Sequence, residues 1–300
     1  MLSAYTVTVL ITLGIYVILA LSLNLITGYA GQISLGHAAF FGIGAYTAAL
    51  ASTKLDSPLL LNLVLAALTA GIVGALLGIP CLRVRDDFLA ITTMGIGFVV
   101  EATFLYTDFF GGAMGIGNIV APGLLGMELS KPAFLLLILM VILSVVGLDR
   151  WLSRAWVGMA WASIREDEMA AGAAGVDIVR FKVFAFVAGS AIAGVAGALY
   201  AHFLTFIMPS NFGFGQSIVI LSMVVLGGIG TIRGPIVGAI VLGALPEISR
   251  PLLEYRTLLY GVLLMLCMRF QPQGLLGEGS LIWNAARALW ASLRPAPRQA

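Results

Sequence analysis

The sequence predicts an all-α polytopic membrane protein of about nine transmembrane helices, with eight to ten as the range. Three observations carry this. Sixty per cent of the 300 residues are hydrophobic and only 10% are charged, where a soluble domain carries roughly 25% charge. Mean hydropathy is +1.06. The apolar residues fall in runs long enough to cross a bilayer core, separated by short charged segments. A net charge of +2 without a basic or acidic tail gives no sign of a nucleic-acid partner.

The first span covers about Tyr5–Ile26. MLSAYTVTVL has no basic n-region, so this run reads as an uncleaved first helix. Residues 27–50, TGYAGQISLGHAAFFGIGAYTAAL, are apolar but broken by Gly28, Gly31, Gly36, Gly42 and Gly44. They carry Gln32, Ser34 and His37. Irregular backbone at membrane depth is tolerated only where protein buries it or water lines it. Glycine-interrupted segments mark transport pathways. A helix packed closely through its glycines fits the same residues. The stretch crosses once, crosses twice, or only re-enters. No second histidine or carboxylate stands at ligand spacing from His37, so it reads as an interior histidine and not as a metal ligand.

The third span is about Pro58–Ile79, with Ala67, Gly71, Gly74 and Gly78 at spacings suited to close helix contact. Arg83, Arg85, Asp86 and Asp87 form a charged turn. The fourth span, about Phe88–Phe110, contains Glu101. A carboxylate there costs roughly 2.5–3.5 kcal/mol unless it faces a cavity or partner. Glu101 is therefore either functional or bonded to a neighbouring helix. Residues 111–131 form a glycine-rich loop with room for a short lid helix. The fifth span is about Ala133–Leu148.

Residues 156–182, WVGMAWASIREDEMAAGAAGVDIVRFK, are the longest polar interruption. Ala160, Ile164, Ala171 and Ala174 give one apolar stripe at helical spacing, with a gap at Asp167 and Glu168. Gly172 and Gly175 end that helix, and Asp177 caps the next. Arg165, Glu166, Asp167 and Glu168 charge it with both signs. The loop either sets topology only or docks a soluble partner.

The sixth span, about Phe181–Phe203, has rows Gly189/Ala193/Gly197 and Ser190/Gly194/Ala198, as a bundle-interior helix would. Residues 209–245 are a second broken region holding Gln216, Gly227 and Gly228. The seventh span lies about Ser217–Gly228, and Pro235 starts the eighth. The Gly31-Gln32 and Gly215-Gln216 pairs, one in each half, hint at an inverted repeat. The last span is about Leu252–Met268. Residues 278–300 form a tail whose 280–294 stretch suits an interfacial amphipathic helix. If the 150–182 loop is cytoplasmic, twelve of the sixteen basic residues fall on that side, and so does the C-terminus.

Lys54, Lys131 and Lys182 are followed by Leu, Pro and Val, so no P-loop exists, and neither HExxH nor GxSxG occurs. No enzyme motif is present, and no cofactor or metal site is expected in this chain.

Four stretches, GYAGQISLGHAAFFGIGAY, IREDEMAAGAAGVD, MVVLGGIGTIRGPIVGA and QPQGLLG, together resemble the permease subunits of branched-chain amino acid ABC importers, the hydrophobic amino acid uptake type. DDFLAITTMG and REDE lean toward the M-type of the two sister permeases. The resemblance implies a permease domain over 1–277 in a bacterial inner membrane. It implies a second permease subunit as heterodimer partner, two cytoplasmic ATPases that hold ATP and Mg, and a periplasmic binding protein. It also implies that 156–182 is the ATPase-coupling loop. Glu168, Ala170, Ala171 and Gly175 resemble the docking pattern, with Met169 as an insertion. Ala160, Ile164, Arg165, Glu166 and Asp167 complete the coupling set. Gln32, Ser34, His37, Glu101, Gln216, Gly227 and Gly228 are the expected pathway residues. The same architecture could carry urea, amides, sugars or aromatic acids. An ion-coupled transporter or channel is the competing class.

Overall fold

The structure is a computed structural model that describes residues 3–81, 86–124, 127–248 and a few positions between 258 and 276. Helix α1 (Ala4–Leu23) starts behind Ser3, whose hydroxyl accepts from the Thr6 N–H. It runs directly into a π-helical turn, Asn24–Tyr29. Such turns are rare and concentrate at functional sites. The chain is non-helical over residues 30–36 and then forms α2 (His37–Leu55). The 27–50 stretch is therefore one helix behind a non-helical lead-in, not two crossings. α3 (Leu59–Cys81) and α4 (Asp86–Tyr106) follow where expected.

The 111–131 loop does not hold a lid helix among its described residues. Gly111, Gly112 and Gly115 take φ of 80°, 55° and 73°, a left-handed backbone that a helix cannot include. The loop instead makes a 3₁₀ turn and a hairpin that pairs residues 123–124 with 127–128. α5 (Lys131–Arg154) is longer than its apolar run and has Pro132 in its first turn. The polar interruption splits into α6 (Trp156–Glu166) and α7 (Glu168–Ala173). α8 (Ile178–Leu204), α9 (Phe214–Gly227) and α10 (Arg233–Ile248) complete the described helices. The turn residues Arg83 and Arg85, most of the expected last span and the 278–300 tail lie outside the described residues.

Six helices among the described residues are long and apolar enough to cross a membrane. α2 and α10 are the other two that align with the expected spans. α8 is an interior helix, packed on α1, α2 and α3. Gly189, Ser190, Ala193, Gly194, Gly197 and Ala198 are all buried. A Cβ on Gly44 of α2 would strike the Gly194 backbone, and one on Gly194 would strike the Ala66 carbonyl. The three backbones therefore touch, which is how helices associate without a hydrophobic drive from lipid. Leu60, Leu68, Leu76, Leu136 and Leu143 point outward, as lipid-facing rows should.

One end of the bundle carries α6 and α7. At the opposite end Asn62 Nδ2 donates to His202 Nε2 at 3.1 Å. His202 Nδ1 donates to the Val120 carbonyl at 2.8 Å, and the Val120 N–H donates to Ser52 Oγ at 3.2 Å. This network pins the loop to α2, α3 and α8.

The two broken regions approach from opposite ends. Residues 30–36 lead into α2 from the α6 end, and residues 205–213 lead into α9 from the other. Their starts meet, since the Ala38 N–H donates to Ser217 Oγ at 3.0 Å. The two Gly-Gln pairs are not structural equivalents, however. Gly31 holds φ +73° ahead of α2, whereas Gly215 lies inside the first turn of α9.

Candidate functional site

The expected coupling helix is broken where its apolar stripe has a gap. Asp167 is extended, and its carboxylate accepts from the N–H groups of Met169 and Ala170 at 2.8 and 3.0 Å. That is an N-cap for α7. Gly175, at φ +89°, ends the pair, and Asp177 caps α8 by accepting from the Arg180 N–H.

The face that α6 and α7 bury is the stripe expected to dock. Ala160, Ile164 and Ala171 are 4, 3 and 4% exposed, so they hold the helices to the bundle and meet no partner. Trp161 completes this inner face. It is fully buried and its indole N–H donates to the Phe181 carbonyl at 2.9 Å. Ala174 is exposed and leaves the stripe. The outer face is bare and carries Met159, Ala162, Met169, Ala170 and Ala173.

The four charges divide their roles. Glu168 pairs with Lys182 and ties α7 to α8. Asp167 is used as a cap. Arg165 reaches inward, where its Nη1 donates to the Gly28 carbonyl at 2.7 Å and lies against Gly230. Glu166 is exposed, with no hydrogen bond or ion pair among the described residues. A cavity of about 420 Å³ opens beside it, lined by Tyr29, Ser153, Gly158, Ala162, Arg165, Glu166 and Gly230.

Asn24 joins the two broken regions. It is fully buried in the π-helical turn. Its Oδ1 accepts from the Gly230 N–H at 2.9 Å and its Nδ2 donates to the Thr231 carbonyl at 3.0 Å. Thr231 in turn accepts from the Gly234 N–H at the start of α10. One buried amide thus fixes the end of α1 to the α9–α10 turn, and Arg165 fastens α6 to the same place.

The structure separates the expected pathway residues into three groups. Gln32, Ser34 and His37 are enclosed together at the start of α2, each 1% exposed or less. Glu101 and Gln216 are half-buried between α4 and α9, where the Glu101 carboxylate packs on Gly213 without a hydrogen bond or ion pair among the described residues. Gly227 and Gly228 lie at the α6 end, where the Leu275 and Leu276 N–H groups donate to Leu226 and Gly227.

Sequence reasoning passes over Trp161, Asn24 and Asp149. Asp149 of α5 is fully buried, and neither carboxylate oxygen has a hydrogen-bond partner among the described residues. Its signal is a lone acid just past the apolar run 133–148, which the helix continues beyond to Arg154.

The fold and this site define a multi-pass membrane protein with glycine-broken helices in its core and a short helical pair outside its spans. The family described as "Branched-chain amino acid transport system / permease component" matches residues 5–268, and the chain belongs to it. The LivM high-affinity branched-chain amino acid transport system permease protein of Escherichia coli is 38% identical, over 92% of this chain and 71% of its own length. A probable LivM of Methanocaldococcus jannaschii is 26% identical over 91% of this chain. A LivH permease of Salmonella typhimurium is 26% identical over 89%. No solved structure matches the chain.

Proposed function

We propose that this permease component translocates branched-chain amino acids across a bacterial inner membrane, as the non-catalytic subunit of an ATP-driven importer. A second permease, two cytoplasmic ATPases and a periplasmic binding protein complete the machine. ATP and Mg are held by the ATPases, and the C-terminus is cytoplasmic. The observation that carries this reading is the α6–α7 pair. Its inner face is anchored in the bundle, its outer face is bare, and Arg165 links it to the broken helices. A free-standing ion-coupled transporter has no need of such a pair.

On this reading the ATPase meets Met159, Ala162, Met169, Ala170 and Ala173, with Glu166 as the acid that fixes register. Rim charges of this kind set specificity more than affinity. Movement of the docked pair passes through Arg165 to the Asn24 hub. The partner's differential affinity for the two arrangements then shifts the equilibrium.

The test is purification of the chain in mild detergent from its native membrane. A P-loop ATPase and a second hydrophobic permease are expected to co-elute. Met169→Glu together with Glu166→Lys is expected to release the ATPase and leave the permease pair intact. Recovery of the chain alone, or retention of the ATPase by the double variant, refutes the reading.

A further inference from the structure

The start of α2 encloses polar atoms that the protein leaves unused. Gln32 Oε1 and Nε2, Ser34 Oγ and His37 Nδ1 are buried without a hydrogen-bond partner among the described residues. The rest of the segment is satisfied. The Gln32 N–H donates to the Ile26 carbonyl at 3.0 Å, and Thr27 Oγ1 donates to the Gln32 carbonyl at 3.0 Å. The Leu35 N–H donates to Thr93 Oγ1 at 3.0 Å. The four unused atoms therefore belong to three buried side chains within six residues, not to a poorly tied loop.

The histidine's proton can be placed. Ser22 Oγ has one hydrogen, and it goes to the Leu19 carbonyl at 2.7 Å. Ser22 Oγ therefore accepts from His37 Nε2, also at 2.7 Å. A neutral imidazole with its proton on Nε2 presents Nδ1 as an acceptor. The cluster then offers two acceptors, His37 Nδ1 and Gln32 Oε1, one donor group, Gln32 Nε2, and a hydroxyl that does either. It carries no charge.

We infer that Gln32, Ser34 and His37 form the binding site for the zwitterionic head group of the transported amino acid, closed in this structure. The acceptors take the α-ammonium, and the Gln32 amide and Ser34 hydroxyl take the α-carboxylate. Neutral groups suit a passage site, because binding has to be weak enough for release. The closure is identifiable. α4 covers the segment through Thr93 and Gly97, and α9 through Ser217. α4 is the least buried of the six long spans among the described residues, and its withdrawal would open the site. This inference rests on the proposed transport of branched-chain amino acids.

The test uses the complete transporter in proteoliposomes, with leucine as the probe. Ser34→Ala and Gln32→Leu each remove unpartnered polar atoms and add no bulk that the site lacks. Wild-type transporter that fails to take up leucine with internal ATP refutes the proposed function, whatever the variants do. Given wild-type uptake, both variants are expected to keep or raise the thermal unfolding midpoint, while leucine moved per ATP hydrolysed falls at least about tenfold. A lowered midpoint means that the polar groups are satisfied structurally, and it overturns the inference. Unchanged leucine per ATP also overturns it.

Discussion

Asn24→Ala removes one buried side chain and strands two backbone groups. The Gly230 N–H loses its acceptor at 2.9 Å and the Thr231 carbonyl loses its donor at 3.0 Å. A buried group left without a partner costs roughly 1–3 kcal/mol. The two groups are adjacent and relax together, so their costs do not simply add. A combined loss of about 2–4 kcal/mol is expected. For a chain of 300 residues that lowers the unfolding midpoint by roughly 3–6 °C. Asn24→Asp keeps the acceptor for Gly230 but buries a carboxylate whose second oxygen faces the Thr231 carbonyl, so its loss should be at least as large. The assay is thermal unfolding of the purified chain in detergent, with ATP-driven uptake measured beside it. If Asn24→Ala leaves the midpoint unchanged, the amide is not the tie between α1 and the α9–α10 turn, and the hub is wrongly assigned.

Three further outcomes are expected. Gly194→Leu should prevent assembly of the bundle, because even a Cβ strikes the Ala66 carbonyl; recovery of a normally folded variant from membranes would contradict the packing. Asp149→Asn should keep or raise thermal stability, since the carboxylate it replaces has no hydrogen-bond partner among the described residues and an amide costs less to bury than a charge; a clear fall in midpoint would reveal a partner. Arg165→Lys keeps the charge but not the planar fork that meets the Gly28 carbonyl. It should lower uptake several-fold while the ATPase still co-purifies, and loss of the ATPase would place Arg165 on the docking face.

The spans were legible because lipid sets a simple rule of length and polarity. α1, α3, α4 and α8 fall within a few residues of the apolar runs, and the small-residue rows of α8 marked it as interior before any contact was known. The coupling loop was legible only in outline. Its stripe of Ala160, Ile164 and Ala171 was a true face, but periodicity cannot say which of two apolar surfaces a face will meet. Here the bundle took it. Capping explains the second departure. Asp167 looked like a free charge in a helix, yet a short acid at a helix start gains more by accepting N–H groups. Asn24 was invisible for a different reason. Its partners are backbone groups about 206 residues away, and no local pattern encodes a bond to a distant backbone.

The hub also constrains how motion of α6 is delivered. Arg165 holds the Gly28 carbonyl. Displacement of α6 must either break that bond or carry Gly28 along. Gly28 cannot yield alone. A Cβ at its position would meet the Asn24 side chain and lie 2.7 Å from the Gly230 nitrogen, so the three residues are in contact and shift as a block. The block includes the end of α1 and the α9–α10 turn, and α9 reaches α2 through Ser217. On the proposed reading, a pull on α6 therefore arrives at both broken helices at once. Irregular backbone makes this workable. A π-helical turn and a glycine turn can exchange hydrogen bonds between two arrangements, whereas an uninterrupted helix passes displacement on without switching.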